Sequence, residues 1–217
     1  MGEYRGPRLA QILIAVLVLG VLAAMLLPAL QRPRVDERRV MGCRRMLSQI
    51  AMGMATYLNE FGDSRYYPCP LGRGLKPDDY NGAEWLASLY WTRILPDPGA
   101  FICPSSTDTN HDGRDLGSQR AIAGRFGSQT VSYAGMHYKS LTDTAGRPKA
   151  GAIMHDFPPN EPMASDDTEG SINHGDVNNG GTMVLFFDGH KEFWTHEKID
   201  LERGVGLKGG PLWRLRN

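Results

Sequence analysis

The chain has 217 residues, and its 24 Lys plus Arg equal its 24 Asp plus Glu, so the formal net charge is zero. That balance leaves no global basic surface for nucleic acid and no acidic tail. The length suits one globular domain beside the helical segments at the N-terminus.

Residues 12–30, ILIAVLVLGVLAAMLLPAL, carry no charge. Nineteen helical residues rise roughly 28 Å, close to the hydrocarbon thickness of a bilayer, and the run predicts a transmembrane helix. Two rival readings use the same residues. A cleavable secretory signal would draw on Arg5 and Arg8 for its basic start and on Val21, Ala23 and Ala24 for its cut. A buried core helix would ordinarily carry a polar face, which this run lacks. A lipoprotein anchor is excluded, because the first cysteine is Cys43. Arg32, Arg34, Arg38, Arg39, Arg44 and Arg45 follow the run, and by the positive-inside tendency they would keep the C-terminal part cytoplasmic.

From residue 35 the spacing becomes amphipathic. Val40, Cys43, Met46, Leu47, Ile50, Met54, Tyr57, Leu58 and Phe61 fall on one helical face, and Gly62 stops the helix. Pro28 predicts a gentle kink. Further on, Trp85, Leu86, Leu89 and Tyr90 predict a helix over 82–91, closed by Pro96 and Pro98. Residues 130–136 and 152–155 read as short strands, and 182–187 followed by 190–194 as a hairpin. Its Asp188-Gly189 step predicts a type I′ turn. An α+β fold follows, with an antiparallel sheet laid on the amphipathic helix.

Gly6, the long apolar helix with a proline near its end, and LPALQRPRVDERRVMGCRRMLSQIAMGMATYLNEFGD together resemble type IV pilin-like proteins. The nearest branch is the pseudopilin-like group with an H-x-DG signature near the C-terminus. FICPS at 101–105, Ser132-Tyr133, His174 and the FFDGH of 186–190 are similar to that group's later segments. The signature residues are thus His174, Asp188 and Gly189. The resemblance covers residues 6–62 well, and 100–194 in patches. It implies a non-enzymatic, membrane-anchored structural subunit of a type II secretion or type IV pilus-like assembly. The division would be a leader at 1–8, a transmembrane helix at 9–31, its amphipathic extension at 32–62 and an α+β head at 63–217.

The resemblance also implies cleavage by a prepilin peptidase after Gly6, N-methylation of the next residue, and a head outside the inner membrane. In that topology it runs against the arginine count. The processing-like residues are Gly6, Pro7 and Gln11, and two of them depart from the pattern. Pro7 is an awkward residue after a scissile bond. Gln11 stands where the family has a glutamate, and cannot form that residue's ion pair. The implied partners are membrane lipid, other pilin-like subunits or further copies of the chain, and the peptidase; nucleic acid is not among them. The alternative is an unprocessed, tethered binding module that uses the same anchor and joins no filament.

Cys69 and Cys103 both precede prolines in the head, and form the candidate disulfide if the head is exported; otherwise they are two buried thiols. Cys43, on the helical stripe, reads as a small buried apolar residue. Asp108, Asn110 and Asp112, with Gly113, match the start of a calcium loop. The twelfth position is Gln119 rather than glutamate, and Asp115 could stand in for it; short Asp/Asn/Gly runs also form plain turns. A metal-hydrolase reading would gather His155, His174, His190 and His196 with Asp156, Asp166, Asp167, Asp176 and Asp188. No HExxH, CxxC, GxSxG or phosphate loop accompanies them, and His174 in SINHGDVNNGG reads as part of a flexible loop.

Overall fold

The computed structural model describes residues 9–70, 80–118, 126–127, 129–137, 153–167, 172–176, 178–201 and 203–217, with backbone alone for 9–10 and 23–36. The leader, including Gly6 and Pro7, lies outside the described residues. Two compact units emerge, Met1–Arg38 and Arg39–Asn217.

Helix α1 (Leu9–Glu60) contributes to both units. The fold class expected from the sequence is nevertheless corrected. Among the described residues, no helix is both long and apolar enough to cross a membrane. The transmembrane segment, the inner-membrane placement and the secretion reading are therefore withdrawn, together with the tethered module that shared the anchor.

Within the second unit, Cys43, Leu47, Ile50, Met54 and Leu58 form the buried stripe of α1, whereas Phe61 is exposed. Because that stripe belongs to the head's core, the division falls at Arg38/Arg39 and not near residue 62. Helix α2 (Gly82–Trp91) occupies the span its apolar spacing predicts. A reciprocal capping box starts it: Asn81 Oδ1 accepts from Glu84 N at 2.8 Å, and Glu84 Oε2 accepts from Asn81 N at 2.9 Å. Both early backbone donors are thereby satisfied. A short 3-10 turn at Pro98–Phe101 follows.

Among the described residues the sheet has five antiparallel strands: β1 (Tyr133–Met136), β2 (Pro162–Asp166), β3 (Gly181–Phe186), β4 (Lys191–Thr195) and β5 (Leu215–Arg216). Their spatial order is β4-β3-β2-β1-β5. Two of them, β2 and β5, are not expected from the sequence. Of the stretch read as a strand over 152–155, the described residues 153–155 form an isolated bridge, Tyr66 to Met154, and among the described residues no named strand includes them. Alternate residues of β3 enter different cores: Met183 and Leu185 join the one containing the α1 stripe and α2, while Val184 and Phe186 join Trp194, Ile199, Leu212 and Leu215. Burial on both faces explains why 182–187 reads as an unbroken apolar run. The helix in closest backbone contact with the sheet is α2, against β1 and β5. The sequence reading assigned that place to the amphipathic stretch of α1.

The β3–β4 connection also differs from expectation. Phe186 N donates to His190 O at 3.1 Å and Gly189 N donates to Phe186 O at 2.9 Å, so the loop holds three residues rather than two. Gly189 has φ +86° and Asp188 has no positive φ. This is the hairpin loop with one left-handed glycine, which tolerates an ordinary residue at 188.

Candidate functional site: a buried Cys-Cys-Asp-His cluster

Four elements deliver four chemically distinctive side chains to one point. Cys43 sits on the buried face of α1, one turn before Leu47. Cys103 follows the 3-10 turn, whose Phe101 carbonyl accepts from Ser132 N at 2.9 Å and so ties it to the start of β1. Asp166 ends β2, opposite Tyr133 of β1. His174 lies in the connection to β3 and forms an isolated bridge with Gly181, whose N–H donates to the His174 carbonyl at 3.0 Å.

Asp176 organises a turn just ahead of β3. Asp176 Oδ1 accepts from Asn178 N at 2.8 Å and from Asn179 N at 3.0 Å. These two backbone donors hold the Asp176 carboxyl below the usual carboxylate range. The expectation of a flexible loop around a surface histidine is corrected: His174 is 6% exposed. Its backbone pairing with Gly181 and the Asp176 turn draw the ring inward.

Cys43 and Cys103 form a disulfide, with Cα atoms 5.2 Å apart. The expected Cys69–Cys103 bridge is thereby corrected, and Cys69 stands outside any disulfide. The helical stripe supplies the reason: Cys43 is buried on the same face as Leu47 and Ile50, so α1 carries its sulfur inward to the segment after the 3-10 turn, where Cys103 lies.

His174 Nε2 is 3.1 Å from Asp166 Oδ2 and 3.9 Å from Cys103 Sγ. Asp166 Oδ2 also accepts from Met183 N at 2.9 Å, and the Asp166 carbonyl accepts from Thr182 Oγ1 at 3.1 Å. Its other oxygen, Oδ1, is buried with no hydrogen-bond partner among the described residues, as is the Tyr133 hydroxyl. Burial first, and the Asp166 charge second, push the Tyr133 phenol well above its ordinary value and keep it neutral. One ligand-capable atom from each of Cys43, Cys103, Asp166 and His174 lies within 4.8 Å of all the others, and all four residues are buried.

Other residues singled out in the sequence do not join this cluster. Gln11 is exposed on α1. In the calcium-like segment, Asn110 Nδ2 donates to the Pro98 carbonyl at 2.8 Å, and Asn110 Oδ1 accepts from Gly113 N at 3.2 Å. Asp115 Oδ2 is 2.6 Å from His111 Nδ1. Among the described residues, Asp108, Asp112 and Asp115 form no convergent ligand group. The segment is a turn organised by Asn110.

The histidines scatter as well. His155 Nδ1 pairs with the Tyr67 hydroxyl at 2.7 Å, and burial pushes that phenol up to about 12. His190 pairs with Asp188 at the exposed hairpin tip. Of the hydrolase set, only His174 and Asp166 belong to the cluster. The H-x-DG residues therefore separate into a buried histidine and a two-residue turn element.

What sequence reasoning missed is the pairing. Cys43 shares its helical face with Leu47 and Ile50, a signal that it points inward but not to what. Asp166 gives no local signal, because PMASD lacks the β-branched and aromatic residues that mark strands.

No family model, curated protein or solved structure matches this chain. The arrangement therefore has to speak through its own chemistry. A buried disulfide beside a buried carboxylate–imidazole pair joins α1, the 3-10 turn, β2 and the β2–β3 connection at one point.

Proposed function

We propose that the chain is a non-enzymatic, pilin-like structural subunit of a type IV pilus-like assembly, in which α1 packs against the α1 helices of neighbouring subunits. The observation that carries this reading is the exposure of Ile12, Leu13, Ile14, Val16, Leu17, Val18, Leu19, Val21 and Leu22, each between 48% and 68%. Burying one such side chain contributes about 1.5–3 kcal/mol. A contiguous apolar surface of this kind marks an association site. Like helices with apolar side chains on every side suit a bundle, since each offers a contact in any direction.

The head supports the same reading. Its core takes in the stripe from Cys43 to Leu58, and a disulfide fastens α1 to the turn after Phe101. A subunit pulled through its helix would transmit load to the head through both. The test is crosslinking of single cysteines placed at successive positions from Leu13 to Val21, in a Cys69→Ser background. Helix-to-helix adducts in a regular stagger are expected. A protein that stays monomeric and gives no adduct at any of these positions would refute the reading.

A further inference from the structure

We propose that, after reduction of Cys43–Cys103, the two thiolates together with Asp166 and His174 bind one zinc ion in a closed, structural site.

Geometry is the first support. Zinc bound tetrahedrally at 2.0–2.3 Å places its ligand atoms about 3.3–3.8 Å from one another. Here all four ligand atoms lie within 4.8 Å of one another, with His174 Nε2 at 3.1 Å from Asp166 Oδ2 and at 3.9 Å from Cys103 Sγ. The two sulfurs, now bonded, must move apart.

The donor set is the second support. Two thiolates, an imidazole and a carboxylate match zinc, whereas calcium and magnesium take oxygen ligands. With four protein ligands there is no open position for substrate, so the site holds structure rather than performing catalysis.

Burial is the third. The Asp166 side chain is 1% exposed and that of His174 is 4% exposed. Among the described residues Asp166 Oδ1 has no hydrogen-bond partner, and a buried carboxylate oxygen left so is costly. Met183 N already orients Oδ2 in the way that outer-shell donors orient metal-binding carboxylates. Two buried thiolates beside a carboxylate would repel one another, and a divalent cation removes that repulsion.

The chemistry balances as follows. A dithiol reductant attacks the Sγ–Sγ bond, leaves as its own disulfide, and delivers two electrons and two protons to give two thiols. Zinc then displaces both thiol protons to solvent and forms two Zn–S bonds. His174 ligates through Nε2 as neutral imidazole, and Asp166 through a carboxylate oxygen. Two thiolates and one carboxylate against Zn²⁺ leave a net charge of −1. The same four elements are thus clasped by a covalent bond under oxidising conditions and by a metal under reducing ones.

The test uses the full chain with Cys69→Ser, so that no third thiol competes. Oxidised and phosphine-reduced samples are equilibrated with zinc, dialysed without oxygen, and assayed for retained metal. The reduced chain is expected to hold one zinc per chain and the oxidised chain none. Cobalt in place of zinc should give the visible bands of a tetrahedral ion and near-ultraviolet thiolate charge transfer. His174→Ala and Asp166→Asn, each first checked by circular dichroism in the oxidised state, should weaken retention by more than the roughly 10- to 100-fold cost of losing an outer-shell group. A reduced chain that retains no more zinc than the oxidised one overturns the proposal. So does one that unfolds and is not restored by zinc, or whose cobalt spectrum lacks thiolate charge transfer.

Discussion

Gly82 and Gly135 face each other where α2 meets β1, with no space for a side chain on either. A Cβ on Gly82 would collide with the Gly135 carbonyl oxygen, and a Cβ on Gly135 with that of Gly82. The obstacle on both sides is backbone, which cannot rotate away as a flexible side chain can. This contact seats α2 on the sheet and so positions Trp85, Leu86 and Leu89 in the core.

Gly135→Ala is therefore expected to destabilise the protein by about 3 kcal/mol, the upper range for overpacking. Urea unfolding followed by tryptophan fluorescence would show the lowered midpoint. A midpoint unchanged from the parent would mean that α2 does not rest on β1 in this way.

The Cys43–Cys103 bridge spans 60 residues of sequence. Closing a loop of that length contributes about 4 kcal/mol in the chain-entropy model. With a chelator present to exclude metal, Cys103→Ser should lower unfolding stability by about that amount, and reduction of the parent should do the same. Cys69→Ser should leave the redox dependence intact, since Cys69 is not in the bridge.

Asp176 and Asp188 give the stability a defined acid limb. Backbone N–H donors hold both carboxyls below their ordinary values, from Asn178 and Asn179 in the first case and from His190 in the second. A carboxyl depressed in the folded state binds protons more weakly there than in the unfolded chain. Its contribution is present above the unfolded value of about 4 and is lost as the pH falls through the folded one. Below about pH 4, Asp176→Ala should thus lose stability less steeply than the parent, while near pH 7 it should be the less stable of the two. Denaturant midpoints measured across that range would check the slope.

The proposed role of α1 predicts a separation between assembly and head stability. Leu17 is 68% exposed and belongs to the first unit, not to the core around Cys43. Leu17→Asp should abolish self-association, read by analytical ultracentrifugation, while the unfolding free energy of the head, from denaturant titration, stays within the roughly 0.5 kcal/mol typical of surface substitutions. Loss of head stability would show instead that residue 17 is part of the folded core.

By itself the sequence determined the features that depend on near neighbours along the chain. The spacing of Trp85, Leu86 and Leu89 located α2, because helical periodicity is a local property. Asp188-Gly189 located the hairpin, because a turn needs particular backbone angles at a few adjacent residues. Even there the loop length was decided by how β3 and β4 pair, and it moved the positive φ to Gly189 alone. Everything that joins distant segments belonged to the tertiary structure. The partner of Cys103 depended on which part of α1 reaches the 3-10 turn, and the sequence alone favoured the wrong cysteine. The burial of His174 depended on the Gly181 bridge and the Asp176 turn acting together. β2 became a strand only because β1 and β3 flank it, since PMASD has little strand preference of its own. The cluster of Cys43, Cys103, Asp166 and His174 brings together residues far apart in sequence, and only the packing of helix, turn and sheet places their ligand atoms within reach of one another.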